Sequence, residues 1–189
     1  PYFSPDGSRI AFQGNLRGVV DLFEYEFATG EFRNLTADDF FDANPWYTAD
    51  GKTLLYNRRV GEHWKLFSVD LNDPSKKTQL TFGPYNEIQP SYSRDGKTIY
   101  FSSDRGEYGV FNIFSLDLET GDMQQYTDVV GGCFSPVEMA SRGDEPSLVF
   151  VAYYAGSFRL YRMPLLESER EISIDRSPRK LKNTTESPS

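Results

Sequence analysis

The stretch Ser4-Pro5-Asp6-Gly7-Ser8-Arg9-Ile10-Ala11-Phe12 joins a tight turn to a strand with alternating side chains. Similar stretches occupy residues 48–56 and 93–101, so the Asp-Gly pairs lie 44 and then 45 residues apart. A fixed period of this size is typical of repeat proteins. Glycine supplies the positive φ that a tight hairpin turn needs. The sequence therefore predicts structural turns at Asp6-Gly7, Asp50-Gly51 and Asp95-Gly96.

Other features return with the same period. A proline precedes each unit, at Pro1, Pro45, Pro90 and Pro136. In the first unit we expect strands at about residues 1–4, 9–13, 21–27 and 31–35, with residues 14–18 as the second-to-third-strand loop. Residues 57–63 are the predicted loop at the same place in the second unit. Four short strands per unit of about 40–45 residues are typical of a propeller blade. The predicted fold is all-β: a β-propeller of four-stranded blades, about four of which are present.

The repeat also resembles a known family. An aromatic-Ser-Pro-Asp-Gly run at residues 3–7, an Asp-Leu-Phe-x-Tyr run at residues 21–25, then Thr29-Gly30 and Leu35-Thr36 resemble the WD-like repeats of TolB-like β-propellers. The resemblance covers about 165 of the 189 residues and weakens in the fourth unit, where residues 141–146 replace the Asp-Gly turn. Because TolB-like propellers usually have six or more blades, we expect the chain to be part of a propeller of at least that size, completed by further blades or domains of the same polypeptide.

The repeat landmarks divide the chain into units. Residues 1–44, 45–89 and 90–135 are predicted as three blades and residues 136–174 as a degenerate fourth. Residues 175–189 are rich in charged, Ser, Thr and Pro residues and bury too little apolar surface to fold alone, so we interpret them as a linker or disordered tail.

Composition excludes several classes of partner. The net charge of −8 argues against nucleic acid, which requires a basic surface. No apolar run approaches the roughly 20 residues of a membrane span, so we expect no direct membrane insertion. One cysteine, Cys133, and one histidine, His63, are too few for an internal disulfide or for a metal site built on His and Cys ligands. The sequence predicts no cofactor and no metal.

One end of such a propeller carries two sets of connections, between blades and between second and third strands. The residues three before a unit's proline, Asp42, Glu87 and Cys133, are expected near the central channel. We predict a partner-binding face there, with acidic groups near the axis and arginines further out. Its candidate residues are Asp42, Asn86, Glu87, Arg17, Arg58, Arg59 and Arg105. The alternative is that these arginines pair with carboxylates of neighbouring blades and only stabilise the fold.

Catalysis finds little support in the sequence. No G-x-S-x-G elbow is present, and His63 lies in a polar stretch beside Glu62. We therefore predict no catalytic residues in this chain. Asp42 and Glu87 are a weak candidate for the paired carboxylates of a glycosidase. Aromatic residues flank the first strand of each unit and either pack between blades or stack on a ligand; they are Phe3, Trp46, Tyr47, Tyr92 and Phe134.

The resemblance implies a function in outline. It implies a non-catalytic, extracytoplasmic module of a bacterium, periplasmic or exported, which binds a protein or peptide partner as a scaffold. The alternative is the gating propeller of a prolyl-oligopeptidase-like or tricorn-like serine protease, with a catalytic domain outside this chain. A third interpretation, a solute- or sugar-binding propeller, requires exposed aromatic residues at the channel mouth.

Overall fold

The computed structural model describes residues 1–16, 18–139, 146–165 and 170–172. Four antiparallel sheets follow one another along the chain, one for each repeat, and the described residues form no helix. Blade 1 contains β1 (Tyr2–Phe3), β2 (Arg9–Leu16), β3 (Val19–Glu26) and β4 (Phe32–Asn34). Blade 2 contains β5 (Asp42–Tyr47), β6 (Thr53–Val60), β7 (His63–Asp70) and β8 (Lys77–Gln79).

The other two blades follow the same plan. Blade 3 contains β9 (Glu87–Tyr92), β10 (Thr98–Ser103), β11 (Asn112–Asp117) and β12 (Met123–Gln125). Blade 4 contains β13 (Cys133–Met139), β14 (Ser147–Tyr154) and β15 (Ser157–Pro164) among the described residues. The short strand β16 (Arg170–Ile172) pairs with β12 and so joins the sheet of blade 3, whereas the sequence assigned these residues to the fourth unit. The predicted tail, residues 175–189, lies outside the described residues.

The strands that flank the second-to-third-strand connections of blades 1 and 2 are longer than the sequence predicted. β2 runs to Leu16 and pairs with β3 over its whole length, so residues 14–16 lie in a strand rather than in the predicted loop. β6 likewise runs to Val60, which places Arg58 and Arg59 in a strand. The prediction of loops there was wrong because cross-strand pairing, a non-local interaction, extends β2 to Leu16 and β6 to Val60.

The Asp-Gly turns share one hydrogen-bonding scheme. The carboxylate of Asp6 accepts bonds from the Ser4 hydroxyl at 2.6 Å and from the Ser8 backbone N–H at 3.0 Å. Asp50 and Asp95 accept equivalent bonds from the residues two before and two after them. The glycines that follow have φ of 71°, 65° and 73°. Each aspartate therefore closes a turn with its side chain while glycine supplies the left-handed backbone.

The threonine that closes each of the first three units has an equally specific structural role. The hydroxyls of Thr36, Thr81 and Thr127 accept hydrogen bonds from backbone N–H groups of the third strands at 2.8–2.9 Å. All three threonines are buried. The threonine hydroxyl thus satisfies a buried N–H group of the third strand where the chain leaves the fourth strand for the next blade.

Among the described residues, apolar side chains from adjacent blades form three separate cores. Leu22 of blade 1 packs with Leu54 of blade 2, and Leu66 of blade 2 packs with Phe101 of blade 3. Ile113 of blade 3 packs with Leu148 of blade 4. These blade–blade contacts, which we call seams 1–2, 2–3 and 3–4, hold the sheets in a curved row with β1, β5, β9 and β13 innermost.

The innermost strands bulge at the repeated prolines. Asn44, Gln89 and Ser135, each directly before a proline, all have φ of 53°. The pairing register of β5, β9 and β13 shifts at these positions. A left-handed residue followed by proline, which lacks an N–H group, produces such a bulge. The three bulges lie around the opening of the central channel, where they line a cavity of about 190 Å³.

Candidate partner-binding face

The connections between blades and the β2–β3-type hairpins meet at one end of the molecule, which we call the loop face. Phe41, from the connection between blades 1 and 2, packs edge-on against Trp64 beside the hairpin of blade 2, with ring centroids 5.3 Å apart. The side chain of Asn86, from the next connection, accepts a bond from the backbone N–H of Trp64 at 3.0 Å and donates to Asp104 at 2.7 Å. These contacts fix the connections against the hairpins.

A buried ion pair lies beneath the connection between blades 1 and 2. Arg58 donates through Nε and Nη2 to the two carboxylate oxygens of Asp42, each at 2.7 Å, and Nη2 also contacts Asp38 at 2.8 Å. The Asp42 side chain is fully buried. Burial raises the pKa of Asp42, and the hydrogen bond and charge of Arg58 partly offset that shift. Burial opposes the charge of Arg58, but pairing with Asp42 raises the net pKa of the guanidinium.

An equivalent site lies beneath the connection between blades 2 and 3. The buried carboxylate of Glu87 accepts a bond from Lys65 at 2.8 Å and from Arg105 through its other oxygen. Thr81 also donates to it, at 3.1 Å. Burial lowers the pKa of Lys65, whereas the charge of Glu87 acts in the opposite direction. In seam 3–4 the corresponding position is Cys133, a buried thiol whose pKa burial raises.

Both arginines support aromatic residues of the loop face. The Arg58 guanidinium lies 4.6 Å from the ring centroid of Phe40, and it also lies near the rings of Tyr56 and Phe67 at 5.6 and 5.3 Å. Arg105 lies 5.4 Å from the ring of Tyr85, with two further rings, Phe101 and Phe114, within 6 Å. At each site the buried guanidinium therefore lies against one exposed ring of the loop face and against two rings of the core.

The structure separates the predicted site residues into two groups. In the first group, Asp42 pairs with Arg58 within blade 2, and Glu87 pairs with Arg105 within blade 3. All four side chains are buried. Arg59 is exposed and Asn86 is half-buried, so these two can contact a partner directly. Arg17 lies outside the described residues. The four buried side chains therefore position the loop face from below, and any contact with a partner would come from the residues above them.

Those residues are mainly apolar, and sequence reasoning missed them. Val130 is 86% exposed and Tyr108 is 65% exposed. Exposed apolar side chains occur in each described connection and at hairpin ends of the loop face; they are Leu16, Phe40, Phe41, Phe82, Tyr85, Tyr108, Val129 and Val130. The available signal was the presence of two apolar residues in each of the connections 37–41, 82–86 and 128–132, where polar loops are normal.

The charge around these side chains is mainly negative. Asp39, Glu62, Glu107 and Asp128 are exposed on the loop face, and among the described residues there Arg59 is the exposed basic one. The remaining basic groups, including Arg58, Lys65 and Arg105, are buried in ion pairs. An apolar surface surrounded by carboxylates attracts partners that carry apolar and positively charged side chains.

One grouping of carboxylates resembles a metal site in composition. Oxygen atoms of Asp21, Asp38 and Asp42 lie within 4.8 Å of one another. Arg58 already binds both oxygens of Asp42 and contacts Asp38, while Asp21 accepts a bond from Asn34 at 2.7 Å. The Arg58 guanidinium thus already supplies, between these carboxylates, the positive charge that a bound metal ion would provide.

The aromatic residues flanking the inner strands are largely engaged in packing. Tyr47 is buried in seam 1–2, and Trp46 and Tyr92 pack against the core of seam 2–3. The Trp46 ring stacks on Tyr2 with centroids 4.0 Å apart, and Phe134 packs against Phe111. Phe3 alone of the five predicted residues is strongly exposed, and it packs against Phe27. This arrangement favours the packing interpretation over a stacking site for sugars.

The histidine lies at the start of β7 rather than in a loop. His63 is half-buried, and its Nδ1 atom has no hydrogen-bond partner among the described residues. A triad requires a carboxylate that orients the histidine and a serine that it activates. In the described part of the chain neither contact is made at His63. The same residues also contain no helix long and apolar enough to span a membrane.

No protein-family model and no curated protein matches the sequence. Solved structures do match. A protein assigned as TolB in Agrobacterium tumefaciens is 25% identical, with a TM-score of 0.70 over 86% of this chain and 60% of its own. TolB from Acinetobacter baumannii is 18% identical, with a TM-score of 0.63 over 84% of this chain and 41% of its own. The predicted fold, a TolB-like β-propeller, is thereby confirmed.

A structure described in a study of two prolyl endopeptidases also matches, with 18% identity and a TM-score of 0.61 over 93% of this chain and 28% of its own. This likeness shows a shared fold. The chain spans 60% or less of the length of each of these three proteins.

Proposed function

We propose that this chain is a non-catalytic binding module whose loop face binds a protein or peptide partner. The observation that carries the proposal is the set of exposed apolar side chains on that face, above two buried arginine–carboxylate sites. Exposed aromatic residues held by rigid supports provide the anchors of protein interfaces, because little side-chain entropy is lost on binding.

The partner would carry apolar side chains together with lysine or arginine. Apolar groups would cover Phe82, Tyr108 and Val130, while exposed carboxylates such as Asp39 and Glu107 would attract the positive charge. The likeness to TolB proteins further supports an extracytoplasmic module, periplasmic or exported, in a bacterium. Fractionation of the source cells tests that location.

Binding can be tested with peptides of equal length and apolar content in which Lys residues are exchanged for Glu. Fluorescence anisotropy should show binding of the Lys peptide and much weaker binding of the Glu peptide. The double variant Tyr108→Ser with Val130→Ser should weaken the Lys peptide on the order of tenfold or more. The control is Leu118→Ser, the same type of change at an exposed site in a strand-three-to-four turn at the other end. Equal binding of both peptides, or an equal loss in the control, would contradict the proposal.

The second candidate is the gating propeller of a prolyl-oligopeptidase-like or tricorn-like serine protease. The match to a prolyl endopeptidase structure over 93% of this chain favours it. It would require a hydrolase domain in the same polypeptide. The intact mass of the native protein, followed by labelling with a serine-hydrolase probe, distinguishes the two: labelling of a much larger polypeptide supports the protease, and its absence supports the binding module.

A further inference from the structure

Arg59 lies in a row of three residues at the loop-face end of blade 2. It pairs with Trp64 across β6 and β7, and its backbone N–H group donates to the carbonyl group of Phe41, directly before β5, at 2.9 Å. Residues that oppose each other on neighbouring strands project from the same face of a sheet. The rings of Phe41 and Trp64 agree with this arrangement, since their centroids lie 5.3 Å apart across the position of Arg59.

The row is held in place from the side of blade 3. The Asn86 side chain accepts a bond from the backbone N–H of Trp64 at 3.0 Å. Asn86 is itself bound to the carboxylate of Asp104, through its backbone N–H and through its side chain, each at 2.7 Å. Phe41 is exposed and Trp64 is half-buried. The row therefore offers an apolar surface on a backbone that residues of two adjacent blades fix.

The side chain of Arg59 adds an available positive charge to this surface. It is exposed and takes part in no ion pair among the described residues, although Glu62 lies exposed in the same hairpin. The buried basic residues of the loop face are each bound to a buried carboxylate; they are Arg58, Lys65 and Arg105. A guanidinium presents a planar fork of N–H donors that matches the two oxygens of a carboxylate. Arg59 is thus suited to bind a carboxylate of a partner.

The charges around Arg59 limit which partner segment fits. Exposed carboxylates lie on both sides of the row, at Asp39 in the preceding connection and at Glu107 in the hairpin of blade 3. A segment that is basic along its whole length would place a positive charge at Arg59, where like charges repel. A segment with one carboxylate at this point would pair with Arg59 and still meet the surrounding carboxylates with its basic residues.

We infer that Arg59 determines the register of the partner on the loop face. It pairs with a single carboxylate in an otherwise basic and apolar segment, beside an apolar side chain that covers Phe41 and Trp64. This inference rests on the proposed function and deepens it, because it specifies where the one acidic group of the partner lies. Apolar cover over the two rings removes water from the ion pair, and such a pair contributes more to binding than one exposed to solvent.

The register can be tested with variants of the Lys peptide used to test binding. In one series a single position at a time carries Glu, and each peptide has a counterpart with Gln at the same position. Fluorescence anisotropy should show one position, or two neighbouring positions, at which the Glu peptide binds on the order of tenfold more tightly than the Gln peptide. Elsewhere Glu should bind no better than Gln, because the carboxylates of the loop face repel it.

Charge reversal then identifies the residue responsible. Arg59→Glu should remove the preference for Glu at that position and replace it with a preference for Lys of similar size. The matched control is Lys52→Glu, the same change of charge at an exposed position of blade 2, in the Asp-Gly turn at the opposite end. This control should retain the preference for Glu. A residue with only a structural role would weaken all peptides alike and leave the preferred position unchanged.

The outcomes separate this inference from the proposed function. If the unaltered chain binds the Lys peptide but prefers Glu at no position, the inference is wrong while the proposed function stands. The same conclusion follows if Arg59→Glu retains the preference, or if Lys52→Glu loses it equally. If the chain binds none of the peptides, the proposed function fails and the inference fails with it.

Discussion

Arg58 binds both carboxylate oxygens of Asp42 at 2.7 Å, with the Asp42 side chain fully removed from solvent. The pair joins β5 to β6 directly beneath Phe40. Removing one partner of a buried ion pair leaves the other charged and unpaired, which costs more than the pair itself contributes.

We therefore expect Arg58→Met to lower the free energy of unfolding by about 3–5 kcal/mol, measured by urea denaturation. The matched control is Arg59→Met, the next residue on the same strand, which is exposed and makes no ion pair among the described residues. It should change stability by about 0.5 kcal/mol or less. If both variants lost the same free energy of unfolding, the Arg58–Asp42 pair would contribute no more to stability than an exposed arginine does.

Two buried tyrosines should respond oppositely to loss of their hydroxyl groups. The Tyr47 hydroxyl donates to Glu24 at 2.7 Å, whereas the Tyr56 hydroxyl has no partner among the described residues. Burial raises the pKa of both phenols, so both hydroxyl groups stay protonated. Tyr47→Phe should destabilise the protein by about 1.5–3 kcal/mol, and Tyr56→Phe should be neutral or stabilise it by up to about 1 kcal/mol, by thermal or urea unfolding. A large loss in Tyr56→Phe would reveal a partner for that hydroxyl.

Gly131 approaches the backbone of blade 4 too closely for a side chain. A Cβ atom there would lie 2.0 Å from the Tyr153 carbonyl oxygen, whereas one at Gly106 would lie 3.8 Å from its nearest neighbour, the Gln125 side chain. Neither glycine has a positive φ, so the comparison isolates the clash. Gly131→Ala should cost about 1–3 kcal/mol or more, with Gly106→Ala close to neutral. Equal melting temperatures would mean that the connection moves freely.

The Asp-Gly turns should contribute to stability at neutral pH and lose that contribution in acid. Hydrogen bonds from Ser4 and Ser8 lower the pKa of Asp6 to about 2, from an ordinary value of 3.8. A carboxyl group with a lowered pKa in the folded state stabilises the fold above its unfolded pKa and loses this effect as the pH falls through the folded one. The stabilisation is therefore full above about pH 4 and disappears towards pH 2.

Asp6→Asn removes this titration, so its melting temperature should fall less between these pH values than that of the unaltered chain. Asp39→Asn, which removes an exposed carboxylate outside the turns, is the charge control and should follow the unaltered chain. If Asp6→Asn also follows the unaltered chain, the carboxylate of Asp6 does not stabilise its turn.

Much of the fold could be predicted because its determinants are local. Asp-Gly turns and alternating strands recur at a fixed spacing, and each aspartate closes its own turn. The hairpin lengths could not be predicted, since Gly14 and Leu16 belong to β2 only through pairing with β3.

The candidate site was predictable only in part. The repeat led us to expect Asp42 and Glu87 near the central channel, and the structure places each of them, buried, at the start of an inner strand. Arg58 is buried because it lies on the same face of β6 as Leu54 and Tyr56. The prediction of a loop at residues 57–63 excluded this alternation, so the burial of Arg58 was not predicted. The sequence named Arg105 as a candidate, but Arg105 reaches Glu87 from the loop after β10, whereas Arg58 reaches Asp42 from within β6, so the repeat did not indicate which carboxylate each arginine binds.

The polar residues at the seams also determine which blades can be neighbours. Lys65 of blade 2 meets Glu87 of blade 3, while Asp21 and Asn112 occupy the position of Lys65 in blades 1 and 3. If blade 4 docked on blade 2, Lys65 would face the neutral Cys133 and would be buried without its counter-charge. The order of blades 2 and 3 is thus specified by their electrostatics as well as by the chain connectivity, which disfavours a folding chain that exchanges its last two repeats.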